Sequence, residues 1–164
     1  VYIDKEDFAL VPPPKFKRLY KGGTVRLKAA YIVRCDDVKF NADGEVEEVL
    51  CTYFSETRSG SDVKSDIKAK GVIQWVDAKY GRDAEFSFYQ PLLTDELYPD
   101  QDYAERLNKN SISVKCGKIE PYAVYGGEEK SFQLMRTGYF KTRPDNGGKA
   151  QLSEIVSLKD NFNK

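Results

Sequence analysis

The stretch KFKRLYKGGTVRLK, residues 15–28, holds six cationic side chains, Lys15, Lys17, Arg18, Lys21, Arg26 and Lys28, and no acidic one. It lies in a chain of 164 residues whose 26 Lys and Arg are matched by 26 Asp and Glu. Like charges on one surface repel, so a chain of zero net charge that keeps one segment basic concentrates positive potential there. The chemistry open to such a segment is anion binding. Arg presents a planar fork of donors suited to a phosphate or a base edge, and Lys presents a movable point charge. Phe16 and Tyr20 lie among the cations, and such rings either stack on unpaired bases or pack into a core. A solvated strand-and-turn face is the plainer reading of any basic run, so the rest of the chain has to decide.

Catalytic chemistry is poorly supplied. The chain has no histidine, which excludes Ser-His-Asp and Cys-His catalysis and His-containing zinc sites within it. No Gly-rich phosphate loop of the GxxxxGK[ST] kind occurs. The carboxylate pairs Asp36-Asp37 and Glu47-Glu48 are adjacent residues, which point to opposite faces of a strand and do not converge on a reacting atom. Cys35, Cys51 and Cys116 are odd in number, lack CxxC spacing and sit in apolar runs, so they read as reduced core thiols. These observations point to a binding module with no catalytic residues and no metal site of its own. No apolar run approaches the roughly 18 residues needed to cross a bilayer and no signal-peptide layout opens the chain, so a cytoplasmic protein is expected. The chain begins at Val1 in a stretch that already reads as strand, and a piece of a longer protein is expected.

The elements that must position these residues are mostly strands. TVRLKAAYIVRC sets Val25, Leu27 and Ala29 on one face against Arg26, Lys28 and Ala30 on the other, which predicts a long strand, or two joined by a bulge, with Arg26 and Lys28 as outward probes. Lys15, Lys17, Arg18 and Lys21 precede them across Gly22-Gly23, a turn expected to fold the two basic arms side by side. Asp43-Gly44 between apolar runs predicts a tight hairpin. Further strands are expected at 71–78, 84–92, 111–120, 131–140 and 151–158. Only DQDYAERLNK, Asp100 to Lys109, reads as a short helix. Many short strands with turns between them predict an all-β protein of antiparallel barrels or a sandwich, with the polar segment 55–66 as the internal boundary.

The segments VYIDKEDF, FKRLYKGGTVRLKAAYIV, CTYFSET, KGVIQWV, SFQLMRTGYF and VSLKDNF, in this order along the whole chain, resemble the C-terminal anticodon-binding region of the bacterial glutaminyl-tRNA synthetase family. The resemblance implies two antiparallel β-barrels packed side by side, with residues 1–66 in the first, 67–164 in the second, and a C-terminal strand that could return to the first. It implies a tRNA(Gln) anticodon loop and an upstream catalytic domain of the same chain as partners, no membrane, and ATP with Mg in that catalytic domain rather than here. Residue by residue, it carries Lys17 and Arg18 to the third anticodon base, Gln133 and Arg136 to the central uracil, and Arg26 and Lys28 to the variable first base, with Lys15 and Lys21 on the phosphate backbone. Lys28 stands where the family pattern has a second arginine, Gln74 where a histidine is frequent, and QLSEIVSLKD departs from the usual ending. Part of the family's middle-base pocket comes from a segment before Val1, so the isolated chain is expected to hold an incomplete site. The competing readings are the equivalent region of an archaeal or eukaryotic-type glutamyl-tRNA synthetase, a ribosomal-RNA-binding barrel, and a protein-interaction barrel; the near-neutral isoelectric point favours the last.

Overall fold

A computed structural model describes residues 1–94, 102–126, 128–143 and 149–158. They form two compact units, Val1–Val76 and Asp77–Lys164, each built on one sheet.

In the first unit β1 (Thr24–Leu27), β2 (Ile32–Phe40), β3 (Val46–Phe54) and β4 (Val72–Ile73) lie in the order β3-β2-β1-β4. Between β1 and β2 the run expected as a long strand, or two joined by a bulge, breaks into a hairpin: the Ala30 N–H donates to the Leu27 carbonyl and the Leu27 N–H to the Tyr31 carbonyl. Ala29 takes φ 58 in that turn and is exposed, and Ala30 rather than Ala29 packs against the core. Val25 and Leu27 do face inward, with Leu19, Val33, Cys35 and Ile73. The hairpin anticipated at Asp43-Gly44 forms. Asn41 Oδ1 accepts the N–H groups of Asp43 and Glu45 at 3.0 and 2.9 Å, and Gly44 supplies the positive φ of 79 that the turn needs.

The second unit holds β5 (Arg82–Tyr89), β6 (Ile112–Ile119), a four-residue helix α1 (Pro121–Val124), β7 (Ser131–Leu134), β8 (Gly138–Thr142) and β9 (Ala150–Ser157), with strand order β6-β5-β9-β8-β7. Its core is Ala84, Ile119, Phe140, Ala150 and Leu152, and the rings of Phe86 and Phe88 meet Phe140 edge to face at 6.0 and 5.5 Å. The run 131–140, expected as one strand, is two strands joined by a turn at Met135–Thr137. The C-terminal strand β9 stays in this sheet, between β5 and β8.

The chain is mostly β, as its composition implied, but the sheets are mixed rather than antiparallel. β4 runs parallel to β1, and β9 parallel to β5. A parallel neighbour needs a crossover of a dozen residues or more, and the stretches that separate the parallel partners, 28–71 and 90–149, leave no local mark in the strands they join. The helix expected over Asp100 to Lys109 does not form among its described residues. Residues 103–106 make turns, and Leu107 bridges to Leu93; Asp100 and Gln101 lie outside the described residues. A helix of that length is marginal unless packing rescues it, and here Leu107 stays exposed and its backbone bridges to Leu93 instead. Among the described residues no helix is long and apolar enough to cross a membrane.

Candidate nucleic-acid interface

The basic segment threads through the first unit and does not simply coat it. Leu19 is buried and bridged to Phe8, and Lys21 is bridged to Cys35 of β2. The Gly22 N–H donates to the Cys35 carbonyl at 2.8 Å, and the Cys35 N–H to the Gly23 carbonyl at 3.1 Å. Gly22-Gly23 is therefore a turn, but the arm before it is held by the N-terminal segment and β2 rather than by β1. Gly71 makes the link to β1. Its carbonyl accepts the Arg26 N–H at 2.9 Å, while its Cα lies so close to the Lys17 carbonyl that a Cβ there would stand 1.9 Å from the oxygen. Lys17, Gly71 and Arg26 are thus brought together by one close backbone crossing that only glycine permits.

The six cations of the segment divide by what they touch. Arg18 pairs with Asp7, which is fully buried. This carboxylate holds the guanidinium from behind and leaves its outer part at the surface. Lys21 pairs with Asp37 at 2.7 Å with both groups exposed; that hydrogen bond raises the ammonium above its ordinary value and lowers the carboxyl below its own. Arg26 is half-buried, and its Nη1 donates to the carbonyls of Thr57 and Ala30 at 2.6 and 3.1 Å. It ties the 3-10 turn Ser55–Thr57 over the sheet, so the outward probe anticipated from alternation is in large part a clamp for its own fold. Lys15, Lys17 and Lys28 are exposed and, among the described residues, have no carboxylate partner. Lys28 sits in the β1–β2 turn, whose position is set by Trp75, since its Nε1–H donates to the Lys28 carbonyl at 2.9 Å.

In the second unit Gln133 lies exposed on β7, opposite in pleat to the half-buried Phe132 and Leu134. Arg136 is exposed in the β7–β8 turn at φ 71. Three non-glycine residues have positive φ among those described, Lys15, Ala29 and Arg136. Lys15 and Arg136 are themselves among the anticipated contacts, and Ala29 follows Lys28 in the β1–β2 turn.

Two cations escaped the sequence reading. Lys68 and Lys70 are exposed beside β1: the Lys70 N–H donates to the Thr24 carbonyl, and Thr24 Oγ1 donates to the Lys68 carbonyl, both at 3.0 Å. The alternation KAK ahead of Gly71 was the available signal. Cys35 is buried as expected of a core thiol, whereas Cys51 and Cys116 are exposed; desolvation pushes Cys35 up and Cys51 up to about 12.

A β-rich chain presenting paired and unpaired cations on strand edges and turns defines a binding module. Residues 1–54 and 72–143 each match a family model described as the anti-codon binding domain of class I tRNA synthetases, E and Q, and the chain belongs to that family. It is 42% identical over 99% of its length to the glutamine–tRNA ligase of Clostridium perfringens, 39% identical over all of its length to that of Rhodopirellula baltica, and 38% to that of Cupriavidus necator. It spans only 30%, 28% and 29% of those relatives.

Proposed function

We propose that this chain is the anticodon-reading part of a glutamine–tRNA ligase that works in the cytoplasm. The remaining length of such a protein would use ATP with Mg to attach glutamine to tRNA(Gln), and this part, whose two sheets we take as the walls of two β-barrels, checks the anticodon. The observation that carries the reading is similarity over the full chain to glutamine–tRNA ligases, through both units at once. That favours glutamine over the glutamyl-tRNA synthetase alternative. It also disfavours a single-barrel ribosomal-RNA binder, which has no use for a second sheet.

The roles follow from donor chemistry. Arg18 is suited to the guanine of the third anticodon position, because its fork matches the O6 and N7 acceptors, and Asp7 behind it fixes the direction of that fork. Lys17, free of a carboxylate among the described residues, supports it. Gln133 offers a donor and an acceptor to the central uracil, with Arg136 beside it in sequence. Lys28 serves the first base as a point charge, with Arg26 securing the strand and turn that carry it. Lys15 and Lys21 meet phosphate, Lys21 by exchanging Asp37 for a phosphate oxygen.

The test is binding of tRNA transcripts that carry each base in turn at the third anticodon position, by wild type and Arg18→Lys. Lysine keeps a charge beside Asp7 and loses the fork. Wild type should prefer guanine, and the variant should lose about 1–3 kcal/mol of that preference. An equal loss on every transcript would refute base reading by Arg18.

A further inference from the structure

We propose that Lys68 and Lys70 form a clamp for the RNA sugar-phosphate backbone, on a strand-like segment that widens the basic surface of residues 15–28; the proposal rests on the anticodon-reading function above. Three backbone and side-chain bonds set the geometry. The Lys70 N–H reaches the Thr24 carbonyl, Thr24 Oγ1 reaches the Lys68 carbonyl, and the Arg26 N–H reaches the Gly71 carbonyl. Residues 68–71 therefore run beside residues 24–26 and in the same direction, as the parallel register Arg26↔Val72 continues. Both lysines are exposed, and their backbone bonds to Thr24 put them at the same edge of β1.

Charge accounting places these two with Lys15, Lys17 and Lys28, apart from the paired cations of the unit. Arg18, Lys21, Arg34 and Lys39 are each neutralised by a carboxylate, namely Asp7, Asp37, Asp36 and Glu48. Lys68 and Lys70 have no carboxylate partner among the described residues. Asp62 and Asp66 lie on the same segment and outnumber Lys64 between them, so its N-terminal part is net negative and its positive charge falls at the Lys68–Lys70 end, next to β1.

Lys70 is also held in place. Its ammonium donates to the Tyr20 hydroxyl and stands 5.1 Å from the Tyr20 ring centroid, and the ring itself packs over Gly23. An exposed lysine loses considerable rotamer freedom on gripping a ligand; one already immobilised by a phenol loses less. Tyr20 takes one of the three ammonium donors and leaves two for a phosphate. Because an ammonium is a point charge without a fork, the clamp reads backbone and not base.

The experiment is titration of wild type and the double variant Lys68→Gln/Lys70→Gln with a tRNA transcript bearing a CUG anticodon and with transcripts altered at each anticodon base, across a salt series, with Trp75 fluorescence confirming the fold. Removing two phosphate contacts should reduce the magnitude of the log Kd against log salt slope by about 1.4 to 1.8, with the same factor lost on every transcript. Tyr20→Phe should leave that slope unchanged, because the charge remains, while weakening binding less than the lysine changes do. An unaltered slope in the double variant, or a loss confined to one anticodon base, overturns the clamp and leaves the anticodon reading standing. Failure of the wild type, joined to the remaining length of the ligase, to bind any transcript overturns the anticodon reading itself.

Discussion

Gly71→Ala is the substitution that most directly probes how the basic surface is assembled. The added Cβ would lie 1.9 Å from the Lys17 carbonyl oxygen and 3.0 Å from its carbon, and 3.5 Å from the Lys17 Cβ. A carbon and an oxygen in van der Waals contact stand well beyond 3 Å, so one of the two backbones must move by more than about 1 Å. Neither moves freely. Gly71 is held to Arg26 through its carbonyl, and two residues beyond Lys17 the chain is anchored by buried Leu19, whose N–H donates to the Asp7 carbonyl. Forced overpacking of this kind costs about 1–3 kcal/mol, while the smaller conformational entropy of unfolded alanine returns about 0.4–1 kcal/mol. The net expectation is a loss of about 1–2 kcal/mol in the first unit. Trp75 is the only tryptophan and lies in that unit, so its fluorescence in urea reports the first unit's transition alone. With a urea slope of about 1–3 kcal/mol/M, the midpoint should fall by about 0.3–2 M. Affinity for tRNA should fall as well, because the Lys17 arm is pushed away from β1. An unchanged midpoint together with unchanged binding would show that the crossing yields freely, and the reasoning from this contact would fail.

Asp7→Ala should destabilise the first unit by about 1.5–3 kcal/mol, since it removes a charged hydrogen bond while the Arg18 guanidinium left behind stays partly hydrated; Asp7→Asn, which keeps the shape and an acceptor, should cost less, and urea midpoints followed by Trp75 separate the two. Acid should weaken the same unit. Asp36 lies below its ordinary value through hydrogen bonds from Thr52 and Arg34, and Asp37 through its bond from Lys21, so their contribution is complete above the unfolded value near 3.9 and fades as pH falls through the lower folded values. Urea midpoints between pH 5 and pH 3 should therefore decline less steeply in Asp36→Asn/Asp37→Asn than in wild type. Ala29→Gly should raise the first unit's stability, from its urea midpoint, by up to about 1 kcal/mol, because alanine at φ 58 carries left-handed strain that glycine does not; a drop of that size would mean the turn adopts another conformation.

What was legible in the sequence was local or cumulative. The hairpin at Asn41–Glu45 needs only Asn, Asp and Gly at fixed offsets, so five residues determine it. The β character of both units follows from period-two runs, and the binding role follows from a basic segment in a chain without histidine. Six collinear motifs carried the family without any coordinate, because similarity adds up over the whole chain even when each motif is weak. The tertiary structure decided which cation does what. Arg18 and Asp7 are eleven residues apart, Arg26 and Thr57 thirty-one, Lys70 and Tyr20 fifty, and no periodicity announces such pairs. Alternation also misjudged where strands end, at Ala29 and again at Arg136, since a turn that tolerates a strained non-glycine residue leaves no glycine to mark it. Local rules act through φ, ψ and nearest neighbours, whereas a parallel crossover and a buried carboxylate behind an arginine depend on how distant segments pack, and only the folded chain specifies that.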